Sequence, residues 1–270
     1  MNVATVRAVA LAVFKESVRD RVPYSMVLFS VVLMAAAFLM SRLTASQDLK
    51  VIKDLGLATM NVMGLLIALF IGTGLVAKEV ERRSIYSVLS KPVTRTAFLL
   101  GKFFGLVLTL AVNLAMMTAA FYVMLLYQDL IAADWVQQGF RAPPLDPRLL
   151  LPISLTLLQL TLVTAVALFF STFSSPLLAT LFTLGIWVAG HFSADLRDFG
   201  TAVDAPVAAA VAKGVYYVLP NLSALDVKNQ VVHGLALAWP ALGLATASTA
   251  AYIALVLTAA SMVFARRDFK

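Results

Sequence analysis

Long apolar blocks and short polar ones alternate along the chain, and the opening segment is of a third kind. Over residues 3–20, at about 100° per residue, Val3, Val6, Ala10, Leu11, Val13, Phe14 and Val18 share one broad face. Lys15, Glu16, Arg19 and Asp20 lie opposite, and Arg7 stands near the apolar edge, where its stem can snorkel. This pattern predicts an amphipathic helix within residues 1–22, lying in the membrane interface. Six apolar blocks follow, at 23–43, 56–77, 97–127, 149–173, 177–192 and 241–264. Most are long enough to cross the roughly 30 Å hydrocarbon core of a bilayer at 1.5 Å per residue, so six spanning helices are expected. The third is longer than a bilayer requires, and its first turns, around Lys102, are expected to project beyond the hydrocarbon.

The connections differ in character. Residues 41–55 read as a polar loop, with Arg42, Asp48, Lys50, Lys53 and Asp54. Residues 78–96 form a charged insert. Residues 128–148 read as a loop broken by Pro143, Pro144 and Pro147. Ser174-Ser175-Pro176 makes a tight break. The stretch 193–240 is long and moderately polar. In it, Thr201-x-x-Asp204 and Ser223-x-x-Asp226 resemble capping boxes. The first precedes a helix-prone run over 205–219, stopped by Pro220 and Asn221, and the second a short helix ending near Gly234. Two short helices at the outer interface are the expectation, with an irregular loop as the alternative.

Composition agrees with a membrane fold. With 61% hydrophobic and 13% charged residues in 270, the chain reads as one all-α integral membrane domain over 1–270, with too little polar sequence for a separate soluble domain. The absence of cysteine excludes disulfides, thiolate metal sites and cysteine nucleophiles. Residues 1–22 lack the compact apolar core of a cleavable signal peptide. A net charge of +7 would point a soluble protein toward nucleic acid, but here its distribution reports orientation, and no nucleic-acid partner is expected. With the N-terminus inside, 13 of the 21 Lys and Arg residues fall on the inner side, close to the span ends, and 8 on the outer side. Both termini are therefore expected in the cytoplasm.

The chemistry that is missing narrows the function. Residues 24–40, 57–77, 103–127 and 149–190 hold no Asp, Glu, Lys, Arg or His, whereas proton and ion relays usually place such groups inside the membrane. There is no phosphate loop, since Gly101-Lys102 is followed by Phe103, and no H-E-x-x-H zinc site. His191 and His233 could meet on the outer face, but two isolated histidines are poor grounds for a metal site, and none is assigned. No paired carboxylates suit a hydrolase, so an enzyme is not expected. Asn61, Asn113, Gln159, Thr161 and Thr164 either line a pathway or hydrogen-bond between helices. Gly72-x-Gly74 and Gly101-x-x-x-Gly105 permit close helix approach.

The charged insert has its own pattern. Glu79 and Glu81 open a segment in which Ile85, Val88 and Leu89 form an i, i+3, i+4 apolar stripe. Pro92 ends it. Such a helix can lie along the cytoplasmic face with Arg82, Arg83 and Lys91 solvated; an ordinary basic loop that sets topology is the other reading.

Here the sequence resembles the type-2 permease family of ABC transporters. Those permeases follow the second span with an acidic residue, a short coupling helix, a Leu-Ser-x-Pro-Val-[ST]-Arg-like turn and a Gly-Lys opening the third span. The matching residues are Glu79 or Glu81, then 84–89, then Leu89-Ser-Lys-Pro-Val-Thr-Arg95, then Leu100-Gly-Lys-Phe-Phe-Gly105. The family more often has Gly-Thr where this chain has Arg83-Ser84. Tyr216-Tyr-Val-Leu-Pro-Asn-Leu222 is similar to a phrase of the family's outer segment, and the nearest branch resembles the multi-copper enzyme maturation permeases.

The resemblance implies the permease subunit of an ATP-driven exporter in the cytoplasmic (inner) membrane. A second permease subunit, identical or related, would complete the membrane part. A separate ATP-binding subunit, holding ATP and Mg, would dock on Glu79, Glu81, Arg82, Arg83, Ile85, Tyr86, Leu89, Lys91 and Pro92. No cofactor is expected in this chain. An ATP-independent six-span carrier or channel and a membrane assembly scaffold remain the alternatives.

Overall fold

In a computed structural model the chain is described over residues 3–41, 48–81, 94–131, 145–193, 214 and 219–266. Helices α1 (Val3–Arg19), α2 (Arg21–Ser41), α3 (Asp48–Glu81), α4 (Arg95–Ile131), α5 (Leu150–Ser171), α6 (Pro176–His191), α7 (Lys228–Val232) and α8 (Trp239–Arg266) account for most of it, with single 3-10 turns at Pro147–Leu149 and Ser223–Leu225. No strand occurs among the described residues. That is what a bilayer demands, because each helix satisfies its own backbone. Hydroxyls obey the same rule: Thr73, Thr109, Thr118, Thr161, Thr164 and Thr249 each donate to the carbonyl one turn back.

Five helices, α2, α3, α4, α5 and α8, are long and apolar enough to cross a membrane. The expected fifth span is α6, whose 16 residues reach only about 24 Å. Its start follows the sequence closely. Pro176 opens the helix, Ser174 Oγ donates to the Phe170 carbonyl at 2.8 Å, and Phe169, Phe170, Phe173 and Phe182 pack around the turn.

α5 forms the centre. It is apolar on all sides and buried along most of its length, with α3, α4, α6 and α8 around it. The glycines set the register. A Cβ on Gly64 would meet Leu160, and one on Gly72 would meet Ala167, so α3 and α5 run in the same direction. α4 returns antiparallel, bringing Phe121 against Gly56. Outward faces of α2, α6 and α8 leave Leu28, Phe29, Leu177, Leu181, Leu244 and Leu255 exposed, as a lipid-facing surface requires.

Several boundaries differ from expectation. Residues 48–55 are not loop: α3 already begins at Asp48, because Leu49, Ile52 and Leu57 bury one helical face. α4 likewise continues through Gln128 to Ile131. The Ser223-x-x-Asp226 box does not form. Ser223 Oγ donates instead to Asn221 Oδ1, which also accepts from Ser193 Oγ and from the Ala224 amide. The short helix after it, α7, ends at Val232, near Gly234 as expected, and Gly234 takes φ 65°. There the Leu235 amide reaches the Gln230 carbonyl and the Gly234 amide the Val231 carbonyl. The first capping box and the run over 205–219 lie outside the described residues.

α1 forms as expected, but part of its burial is against protein. A Cβ on Gly101 would meet Val9, and one on Gly105 would meet Val13 and the Ala10 carbonyl, so α1 packs along the first half of α4 in the same direction. Val13 and Ser17 are buried, while Val3 and Leu11, assigned by pattern to the same apolar face, are exposed.

Candidate functional site

The charged insert expected to dock an ATP-binding subunit lies between α3 and α4. Glu79 and Glu81 lie in the last turn of α3. Arg82, Arg83, Ile85, Tyr86, Leu89, Lys91 and Pro92 lie outside the described residues. The segment's exit is described. Thr94 caps α4, its Oγ1 accepting from the Ala97 amide at 3.4 Å. Arg95 follows, in the first turn of a helix, where a cation is unfavourable against the helix dipole. The guanidinium turns instead to the opposite pole of another helix. Arg95 Nη1 donates to the Ala265 carbonyl at 3.0 Å and the Phe264 carbonyl at 3.5 Å, at the C-terminal end of α8. Phe98 stacks on Phe264 with ring centroids 6.3 Å apart, and the Lys102 ammonium lies 5.2 Å from the Phe98 centroid. The residue that follows the charged insert thus clamps the end of α8. The motif found Arg95 without its role; a cation misplaced at a helix start was the available signal.

The expected pathway residues are all buried within the chain: Asn61, Asn113, Gln159 and Thr164. Asn61 and Gln159 lie within a turn of the Gly64–Leu160 contact, and Asn113 lies two turns before Phe121, so the three amides stand near one level. Asn113 Nδ2 donates to the Thr109 carbonyl at 2.8 Å. Gln159 Nε2 reaches the Leu222 carbonyl at 3.0 Å. The amide oxygens of Asn61, Asn113 and Gln159 are left without a hydrogen-bond partner. Thr161 and Thr164 return their protons to their own helix.

The Gln159 bond also fixes the segment before α7. Gln159 lies about 14 Å along α5 from Leu150, so the chain around Leu222 dips well below the helix ends. Leu222 and Leu225 are buried there, and the Leu222 amide donates to the Gly190 carbonyl at 3.1 Å. Irregular backbone at such depth is tolerated only where protein satisfies it.

One polar cluster escaped the sequence reading. Lys53, expected in a polar loop, is fully buried in α3, under the electrostatic influence of Asp146. Asp146 is itself buried, its Oδ1 accepting from the Arg148 amide at 2.9 Å, and Tyr122 Oη donates to its carbonyl at 3.1 Å. Lys102 is buried too. Each histidine engages its own helix through Nδ1, His191 with the Trp187 carbonyl and His233 with the Asn229 carbonyl. Among the described residues no three His, Cys, Asp or Glu side chains form a metal-binding group.

A model of the family described as ABC-2 family transporter protein matches residues 7–269. No curated protein matches the chain.

Proposed function

This chain belongs to the ABC-2 transporter family and is a multi-pass permease subunit, and on that premise we propose that it is the moving membrane part of an ATP-driven exporter. A separate subunit hydrolyses ATP with Mg and docks on the segment 78–96. Its closure displaces that segment, and the displacement enters the bundle through α3 and α4. A second permease subunit, identical or related, completes the pathway. α6 serves as the short member of six spans, both termini lie in the cytoplasm, and the membrane is the cytoplasmic one.

The observation that carries this reading is the pairing of the two helices that flank the docking segment. α3 and α4, of 34 and 37 residues, are the longest elements among those described, about 51 and 56 Å, well beyond the hydrocarbon thickness. With Gly72 level with Ala167, α3 continues more than a turn past the end of α5 at Ser171. The overhang makes a stiff two-helix lever, and Arg95 ties it to the end of α8. The level of Asn61, Asn113 and Gln159, with free amide oxygens, supplies acceptors for a cargo or for water once the bundle opens. Affinity purification from the native membrane tests the reading. An ATP-binding subunit should remain bound in mild detergent, and a chain that purifies with no nucleotide-binding protein would contradict it.

A further inference from the structure

At the end of the bundle opposite the Arg95 clamp, the side is indented by a cavity of about 380 Å³. Its walls include Leu151, Val231, Leu235 and Leu237, and Arg148 and Trp239 stand at it. The local sequence builds it. Pro147 opens a 3-10 turn capped by Asp146, which holds the Arg148 backbone. Gly234, at φ 65°, turns the chain out of α7 into an irregular link that runs to Trp239 at the start of α8.

Of the residues that line this cavity, Arg148 alone is charged. α5 and α8 both begin here, Leu151 lying in the first turn of one and Trp239 opening the other, and neither carries an acidic residue in its first turn. The start of α8 carries a positive dipole end that adds to the guanidinium, while the start of α5 follows the turn that Asp146 caps. Among the described residues no carboxylate pairs with the Arg148 side chain. The adjacent carboxylate, Asp146, is buried and engaged with the Arg148 amide. Beyond the cavity the surface is apolar: Leu150, Leu235 and Leu244 are exposed, and Trp239 is 63% exposed. A bare indole at the mouth of a spanning helix belongs at the headgroup level of a bilayer.

We propose that this cavity seats the phosphate-bearing headgroup and upper acyl carbons of an anionic membrane phospholipid. The phosphate lies against Arg148 and the start of α8, the first acyl carbons fill the walls, and the tails continue over Leu244. The volume suits a headgroup and a few carbons, since it falls near the lower end of the roughly 300–1,000 Å³ that ligand sites occupy. The proposal holds in whichever leaflet this end of the bundle lies. It stands apart from the orientation and from the docking segment.

Trp239 provides the probe. Trp135→Phe and Trp187→Phe leave it as the single tryptophan of the full-length chain. That protein is reconstituted in phosphatidylcholine vesicles containing either brominated phosphatidylglycerol or brominated phosphatidylcholine, with bromine near the headgroup. Brominated phosphatidylglycerol should quench Trp239 at about fivefold lower mole fraction, the selectivity expected of one basic side chain toward an anionic lipid. Arg148→Gln should abolish the preference and Arg148→Lys should retain most of it. Ala236→Phe, at an exposed lining position, should abolish it by filling the cavity with Arg148 intact. Equal quenching by the two lipids would overturn the proposal, as would a preference that survives both Arg148→Gln and Ala236→Phe. Loss of the preference on adding inorganic phosphate at constant ionic strength would also overturn it, since a free anion would then suffice.

Discussion

Gln159 shows how much one polar side chain can decide inside an apolar bundle. Its Nε2 donates at 3.0 Å to the Leu222 carbonyl, deep between helices, beside the Leu225 amide at 3.2 Å, while its own Oε1 goes unpaired. Gln159→Leu removes one of the two hydrogen bonds that this carbonyl accepts, a loss of about 0.5–1.5 kcal/mol. The expected result is a melting temperature several degrees lower in detergent; an unchanged value would mean that water or another donor replaces the amide. Gly56 makes a second case, through sterics. A Cβ there would run into the ring of Phe121, which has no exposed surface. Gly56→Ala should cost about 1–3 kcal/mol of overpacking. Combined with Phe121→Leu, it should cost much less than the two changes summed, and strict additivity would show that the two residues do not touch. These residue-level outcomes mark the limits of the sequence. Gly234 was legible as a stop because a left-handed turn is a local requirement. Ser223 was misread because Asn221, two positions back, takes its hydroxyl. Lys53 was misread because its counter-charge, Asp146, lies in a connection remote in sequence, and no periodicity reveals such a partner.

Among the elements, α1 was the most legible in kind and the least in placement. Its amphipathic period gave the helix, and Gly101-x-x-x-Gly105 announced a close approach, but nothing in either segment said that each was the other's partner. The contact line runs through half-buried Val9 and Ala10 to buried Val13 and Ser17, so the helix presents one edge of its apolar face to α4 and leaves Leu11 outward. The contact is backbone-close: a Cβ on Gly105 would stand 2.7 Å from the Ala10 carbonyl oxygen and 2.8 Å from Val13 Cβ. A larger side chain cannot be accommodated by a rotamer change, so α1 must move. Because the chain has no cysteine, Ser17→Cys gives a unique reporter at a buried site. In the otherwise unaltered chain it should resist maleimide, and Gly105→Leu should make it react readily. Equal reactivity in both would show that α1 is not held in this groove. The spans themselves were readable to within a few residues wherever a proline or a serine pair marked the start, as at Pro176. They failed where the helix outran its apolar stretch, as at Asp48 and Ile131.

For the whole molecule, the unequal helix lengths bear most directly on function. A bundle of equal spans would have no part to push, whereas α3 and α4 overhang α5, and Arg95 and Phe98 tie α4 to α8. Force applied between Glu81 and Thr94 therefore reaches three spanning helices without passing through a loop. If the segment between them docks by its apolar stripe, a charge on the stripe must break the contact, because burying an unpaired carboxylate costs several kcal/mol. Ile85→Asp and Leu89→Asp should each abolish co-purification of the ATP-binding subunit while the chain still inserts and melts as before. Ser87→Asp adds the same charge half a turn away, on the opposite helical face, and should leave association largely intact. Equal loss in all three would mean that added charge, not the stripe, disrupts the partner. Full retention in Ile85→Asp and Leu89→Asp would move the docking surface elsewhere on the bundle, and the overhang of α3 and α4 would then need another explanation.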